Sequence, residues 1–226
     1  MTIAIGDIHG NLEHLEILLN MIPENEQLVF LGDYIDRGPD SYGVINKLKQ
    51  LEKENPDYIF LRGNHEQMAL DACLITSDSS LYMMWVTNGG RETLQSYYDN
   101  NYKVLQDCNW FKTLDYFYEN DTTIFVHAGI NLSIGPDMNK QHIEDMIWMR
   151  RWWQSDIDWT QNKKIVFGHT LTRNMKCPSD KDIFVSPNGK YVGIDTGCFF
   201  SGHLTAYNPD TGEIWQTDKP IQKKKN

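Results

Sequence analysis

The 226-residue sequence contains four cysteines, Cys73, Cys108, Cys177 and Cys198, with no C-x-x-C pair among them. Thiols so few and so dispersed build neither a disulfide scaffold nor a structural zinc site, and all four are read as free. No apolar run approaches the roughly 18 residues of a membrane span. Met1-Thr2-Ile3-Ala4-Ile5-Gly6-Asp7 has neither the basic start nor the long apolar stretch of a secretory leader, so a cytoplasmic location is expected. Positive charge is also scarce: 21 Lys and Arg against 31 Asp and Glu leave a net charge of −10. A broad cationic face for nucleic acid is thereby disfavoured, and only Lys223-Lys224-Lys225 is locally basic. No Walker A or G-x-G-x-x-G string occurs, no cysteine opens a C-x-x-x-x-x-R loop, and His65-Glu66-Gln67-Met68-Ala69 lacks the second histidine of a zinc-protease helix.

What remains is an ordinary globular composition, 40% hydrophobic and 23% charged, over a length that fits one sizeable domain spanning residues 1–226. Thr2 to Ile5, Leu28 to Leu31 and Tyr58 to Leu61 read as strands, and Leu12 to Met21 and Ser41 to Leu51 as helices. This alternation predicts βαβ units and a largely parallel sheet. From about Gln67 to Lys112, apolar positions spaced by three or four predict a helical insertion. Leu114 to Tyr118 and Thr122 to Val126 read as a hairpin, and Asp137 to Trp153 as partly helical. Five short runs, Ile165 to Phe167, Ile183 to Val185, Tyr191 to Ile194, Leu204 to Tyr207 and Glu213 to Gln216, then predict a second, mixed or antiparallel sheet. The fold class is α/β, with two sheets in one domain.

Three strand-to-loop junctions share a composition: Gly6-Asp7-Ile8-His9-Gly10, Gly32-Asp33-Tyr34-Ile35-Asp36-Arg37-Gly38 and Gly63-Asn64-His65-Glu66. Two later ones, Phe125-Val126-His127-Ala128-Gly129 and Phe167-Gly168-His169-Thr170, set a histidine beside glycine after an apolar strand. Any one of them is explained by turn or cap chemistry. Five together are not, because parallel strands bring their carboxyl ends to one crevice. Two carboxylates, one amide and three imidazoles there suit two divalent first-row metals.

In order and spelling these blocks resemble the calcineurin-like metallophosphoesterases, in particular their phosphoprotein phosphatase branch and, within it, the bacterial and phage lambda-type serine/threonine phosphatases. Asp195-Thr196-Gly197-Cys198 and Gly202-His203-Leu204-Thr205-Ala206 are also similar to the ending of symmetrical diadenosine tetraphosphatases. The resemblance implies a two-sheet β-sandwich flanked by helices, layered α/β/β/α. It assigns Asp7 and His9 to one metal, Asn64, His127 and His169 to the other, and Asp33 to both. The two ions would hold a hydroxide for direct in-line attack on phosphorus. Mn²⁺ is the expected ion; Fe²⁺, Zn²⁺ and Co²⁺ also suit the ligands. His65 would be the general acid and Asp36 its orienting partner. Arg37 and Arg62 would hold phosphoryl oxygens, joined by Arg150 in preference to its neighbour Arg151.

Competing signals are weaker. Asp156-Ile157-Asp158-Trp159-Thr160 fits the D-x-D-x-T of aspartate-nucleophile phosphatases but ends no apolar strand. His14, His142 and His203 read as surface or packing residues, and the tryptophans around Arg150 as either core or cleft wall. The implied activity is metal-dependent hydrolysis of a phosphomonoester, on phosphorylated serine or threonine of a protein, with dual specificity open. Hydrolysis of dinucleoside polyphosphates on the same centre is the alternative. A non-catalytic scaffold would be expected to have lost a ligand or the acid, and none is lost. The expected partners are a phosphoprotein or small phosphoester, without nucleic acid or membrane, and the chain is expected to be a monomer.

Overall fold

The computed structural model describes residues 1–75, 78–135, 137–155 and 163–218. The D-x-D-x-T string at 156–160 and the basic tail at 223–225 lie outside them. Among the described residues, ten strands form two five-stranded sheets. The first runs in the order β10-β9-β1-β2-β3, with β1 Thr2–Ile5, β2 Gln27–Phe30, β3 Ile59–Phe60, β9 Thr205–Tyr207 and β10 Ile214–Gln216. The second runs β4-β5-β6-β8-β7, with β4 Phe117–Glu119, β5 Thr123–Val126, β6 Lys164–Phe167, β7 Phe184–Val185 and β8 Tyr191–Gly193. Pairing is parallel at the centre of each sheet, β1 with β2 and β2 with β3, and β5 with β6 and β6 with β8. It is antiparallel in the pairs β1 with β9, β9 with β10, β4 with β5 and β7 with β8.

One expectation is corrected here. The last two strands do not join the second sheet: β9 pairs with β1, Ala4 opposite Tyr207 and Ile5 opposite Ala206. The second sheet instead takes in β4 and β5. Short strands with similar apolar content carry no local mark of their partner, so this choice is made by tertiary packing.

Side chains alternate along the strands with period two, which sorts the core into three layers. Ala4, Val29, Leu31, Phe125, Val166 and Val192 meet between the sheets. Ile3, Ile5, Leu28 and Phe30 face the other way, onto a cluster with Leu15, Leu18, Val44 and Leu48 from helices α1 (Leu12–Met21) and α2 (Ser41–Glu54). Ile124, Val126, Ile165 and Phe167 face outward from the second sheet, onto Met146, Trp152 and Trp153. The arrangement is the four-layer α/β/β/α sandwich that the resemblance implies. Between β3 and β4 the chain is helical: α3 Asn64–Leu74, α4 Ser79–Trp85, a kinked turn Val86–Gly90, α5 Arg91–Asp99 and α6 Cys108–Thr113.

Candidate metal centre

The carboxyl ends of β1, β2, β3, β5 and β6 deliver the five singled-out junctions to one place. Asp7, His9, Asp33, Asn64, His65, His127 and His169 are all buried there. Two groups of ligand atoms lie within 4.8 Å of one another: His9, Asp33 and His65, and Asp33, His127 and His169. Asp33 is shared, as expected of a bridging ligand. Asp7 belongs to neither tight group; its carboxylate accepts the His169 N–H, at 3.0 Å to Oδ2. Gly168 is needed for this, since a Cβ there would collide with Asp7 Oδ1. His9, Asp33, Asp36, Arg37 and His169 all have positive φ, between 49° and 73°. Non-glycine residues adopt that region at a cost, and such strain gathers at functional sites.

The ring orientations are set from the backbone. His9 Nδ1 lies 2.9 Å from the Ile35 carbonyl, and His127 Nδ1 lies 2.8 Å from that of Leu31. Each Nδ1–H donates there, which leaves the Nε2 lone pair turned into the cluster, the usual way a metal-binding histidine is held. His127 Nε2 and His169 Nδ1 then face Asn64 Oδ1 at 3.0 and 2.8 Å, and His169 Nε2 is buried with no hydrogen-bond partner among the described residues. Lone pairs converging in a buried place fit a divalent cation with borderline nitrogen and hard oxygen ligands. The residues present therefore suit a dinuclear centre.

Electrostatics agree. Burial works to raise the Asp33 carboxyl, but His127, His65, His9 and His169 together outweigh it and hold it well below the usual carboxylate range. Burial lowers His9, His127 and His169, with Arg37 adding to the shift at His9 and Arg150 at the other two. Burial, then the carboxylates of Asp195 and Asp33, raises Asp7.

His65 Nδ1 lies 2.6 Å from Asp36 Oδ2. Arg37 reaches His9 Nε2 at 2.5 Å and lies over the Phe199 ring. Arg150 contacts Thr170 Oγ1 at 3.2 Å and the His169 carbonyl at 3.4 Å, whereas Arg151 takes a left-handed turn and is exposed. Arg62 is held firmly. Its guanidinium bonds Gln67 Oε1 and Tyr116 Oη through one nitrogen and the Lys112 carbonyl through the other, and it stacks on Tyr116. These bonds tie α3 to the start of the second sheet, while Arg62 Nε is buried with no hydrogen-bond partner among the described residues. The tryptophans divide: Trp152 and Trp153 are core, packed on Phe167, while Trp148, 40% exposed, sets its edge on His169.

Two buried acids were not anticipated. Glu66 accepts the backbone N–H groups of Asp33, Tyr34 and Gly63 at 2.8 to 3.0 Å and that of Ile35 at 3.3 Å, tying the β2 and β3 loops together. The signal was present: an acid three residues after the helix N-cap is a capping residue. Asp195, which opens the string likened above to the tetraphosphatase ending, lies beside β8 and works electrostatically on Asp7, a role its sequence context does not give.

A calcineurin-like phosphoesterase model matches residues 2–206. The chain is 32% identical to serine/threonine-protein phosphatase 1 of Salmonella typhimurium, over 89% of this chain and 88% of that protein. It is 29% identical to the asymmetrical bis(5'-nucleosyl)-tetraphosphatase PrpE of Oceanobacillus iheyensis, over 90% of this chain and 86% of that one. A crystal structure described as a putative diadenosine tetraphosphatase shares the fold, with a TM-score of 0.67 at 21% identity, over 96% of this chain and 92% of that one. Sequence blocks, sandwich and family model agree: the chain belongs to the calcineurin-like phosphoesterases.

Proposed function

We propose that this chain is a serine/threonine protein phosphatase, able to act on small phosphomonoesters and open to dual specificity. The observation that carries the reading is the His65–Asp36 pair, 2.6 Å apart and set beside the Asp33-centred imidazole cluster. Asp7, His9, Asp33, Asn64, His127 and His169 would hold two divalent ions, with Mn²⁺ the first candidate. When bound, such ions neutralise phosphoryl charge and lower the pKa of water for in-line attack.

The chain's own groups do the rest. Arg37 and Arg150 take the non-bridging phosphoryl oxygens. Asp36 accepts Nδ1–H of His65 and so holds the ring with Nε2 toward the substrate, where its proton passes to the departing alkoxide. A serine alkoxide is a poor leaving group, so the transfer matters most for phosphoserine and phosphothreonine. Residues 1–226 act in this reading as one catalytic domain, monomeric and cytoplasmic, and the helices between β3 and β4 are its substrate-selecting insertion. No helix among the described residues is long and apolar enough to cross a membrane.

The relative named a serine/threonine phosphatase favours the protein substrate. The relative named a tetraphosphatase, matched over as much of the chain, supports a second reading, hydrolysis of dinucleoside polyphosphates on the same centre. A phosphoserine peptide, p-nitrophenyl phosphate and diadenosine tetraphosphate assayed side by side separate the two. Peptide turnover is expected, falling roughly 10²–10⁴-fold in H65N. Hydrolysis of the dinucleotide alone would transfer the assignment to the second reading.

A further inference from the structure

Asp36 carries more than His65. The Trp85 indole N–H donates to its carboxylate, 3.1 Å from Oδ1 and 3.0 Å from Oδ2. The Thr93 hydroxyl donates to Oδ1 at 2.6 Å and accepts the Asp36 N–H at 2.8 Å. Ser41 Oγ, 2.9 Å from Thr93 Oγ1, also accepts that N–H, at 3.1 Å. Asp36, Trp85 and Thr93 are each 0% exposed. Trp85 and Thr93 therefore hold the buried carboxylate from the sides that His65 does not use.

Both donors come from the helices between β3 and β4, one from the end of α4 and one from α5. The kink between them is at Gly89, which has φ 114°. Its carbonyl accepts the Arg37 N–H at 3.1 Å, and a Cβ there would stand 2.7 Å from Arg37 Cγ and 2.9 Å from Arg37 N. Asp36 and Arg37 sit at φ 73° and 66°, which they keep only because surrounding groups hold them.

We infer that Trp85 and Thr93 are positioning residues for the proton-donating step: they fix the Asp36 carboxylate so that it holds Nδ1–H of His65, and the protonated ring keeps Nε2–H toward the leaving group, returning to the neutral Nδ1–H tautomer once that proton has passed to the alkoxide. The inference rests on the reading of His65 as general acid. Loss of either donor leaves a buried carboxylate under-bonded and free to rotate, and His65 Nδ1 then loses a fixed acceptor. The defect falls on substrates whose leaving group needs a proton.

The full-length Mn²⁺-loaded protein is assayed as wild type, W85F, T93V, T93S and H65N, on a phosphoserine peptide and on p-nitrophenyl phosphate, whose phenolate leaves without help. W85F and T93V are expected to lower kcat on the peptide by roughly tenfold or more, part of the 10²–10⁴ that general acid catalysis is worth. KM and the p-nitrophenyl phosphate rate should stay within about twofold, and T93S, which keeps the hydroxyl, should restore the peptide rate. In the metal-free protein, ¹⁵N shifts of the His65 ring should report the Nδ1–H tautomer in wild type and T93S, and mixed tautomers in W85F and T93V. Equal losses on both substrates, a T93S as impaired as T93V, or unchanged tautomers would overturn the inference. Should T93V fail to fold, W85F decides. If H65N alters the peptide-to-aryl ratio while W85F and T93V do not, only the positioning roles fall. If H65N itself leaves that ratio unchanged, the acid assignment beneath them is what fails.

Discussion

Asp195 accepts the Gly197 N–H at 3.0 Å, and burial, reinforced by the nearby Asp33 carboxylate, pushes its carboxyl up to about 6. An unfolded aspartate titrates near 3.8. Between the two values the folded chain binds the extra proton, so the stabilisation tied to that proton is complete below about 3.8 and is lost as pH rises through about 6. Asp195→Asn removes the titrating group and keeps an acceptor for Gly197. In the chelated protein, the variant should therefore gain about 3 kcal/mol on wild type between pH 4 and pH 7.5, measured by urea unfolding. A difference that does not change with pH would mean that the carboxyl is ionised throughout. The role of Asp195 was not legible, although the string it opens was, and the reason is physical. Asp7, Asp33 and His169 announce themselves by following a strand and a glycine, and His127 by following a strand, a purely local arrangement. Asp195 acts through a field that only the folded chain assembles. Arg62 was legible as a motif residue, but its bonds to Tyr116 and the Lys112 carbonyl, about fifty residues on, were not.

At the scale of elements, helices were legible to within a turn where apolar periodicity and caps coincide. Leu12–Met21 is found as read, and the helix beginning at Ser41, capped by Asp40, runs one turn past Leu51. Strands were legible as strands but not as neighbours, because the pairing of β1 with β9 joins residues some two hundred positions apart. The turn between α4 and α5 was not legible at all. It read as ordinary helix, yet Gly89 takes a conformation that only glycine adopts without strain, and its carbonyl supports the backbone of Arg37. Gly89→Ala should cost about 1–3 kcal/mol in denaturant unfolding and lower turnover with it, since the added Cβ pushes on Arg37. A variant as stable and as active as wild type would show that this turn does not hold the loop.

For the whole molecule, the centre is also a seam. Asp7, His9, Asp33 and Asn64 belong to the first sheet's loops and His127 and His169 to the second's, and the bonds from His127 to Leu31 and from His169 to Asp7 cross between them. Ions seated there would join the two sheets. Chelation should therefore abolish hydrolysis and also lower the unfolding midpoint. If Mn²⁺ is present at about 100 times its dissociation constant, it adds about 2.7 kcal/mol, roughly 5–10 °C for a chain of this length. Thermal unfolding with chelator and then with Mn²⁺ restored tests this; an unmoved midpoint would argue against ligands drawn from both sheets. A last consequence follows from how sparingly the segment from α4 to α5 touches the reacting pair and its neighbour: through the Trp85 indole, the Thr93 hydroxyl and the Gly89 carbonyl. On the same α4, Tyr82, Met83 and Met84 are largely turned to solvent, 44%, 56% and 39% exposed. Recognition and reaction are thus separately heritable: with α3 and its His65 kept, an α4–α5 segment borrowed from a relative with another substrate needs those three anchors to keep the proton donor in order, and its outer surface is free to drift.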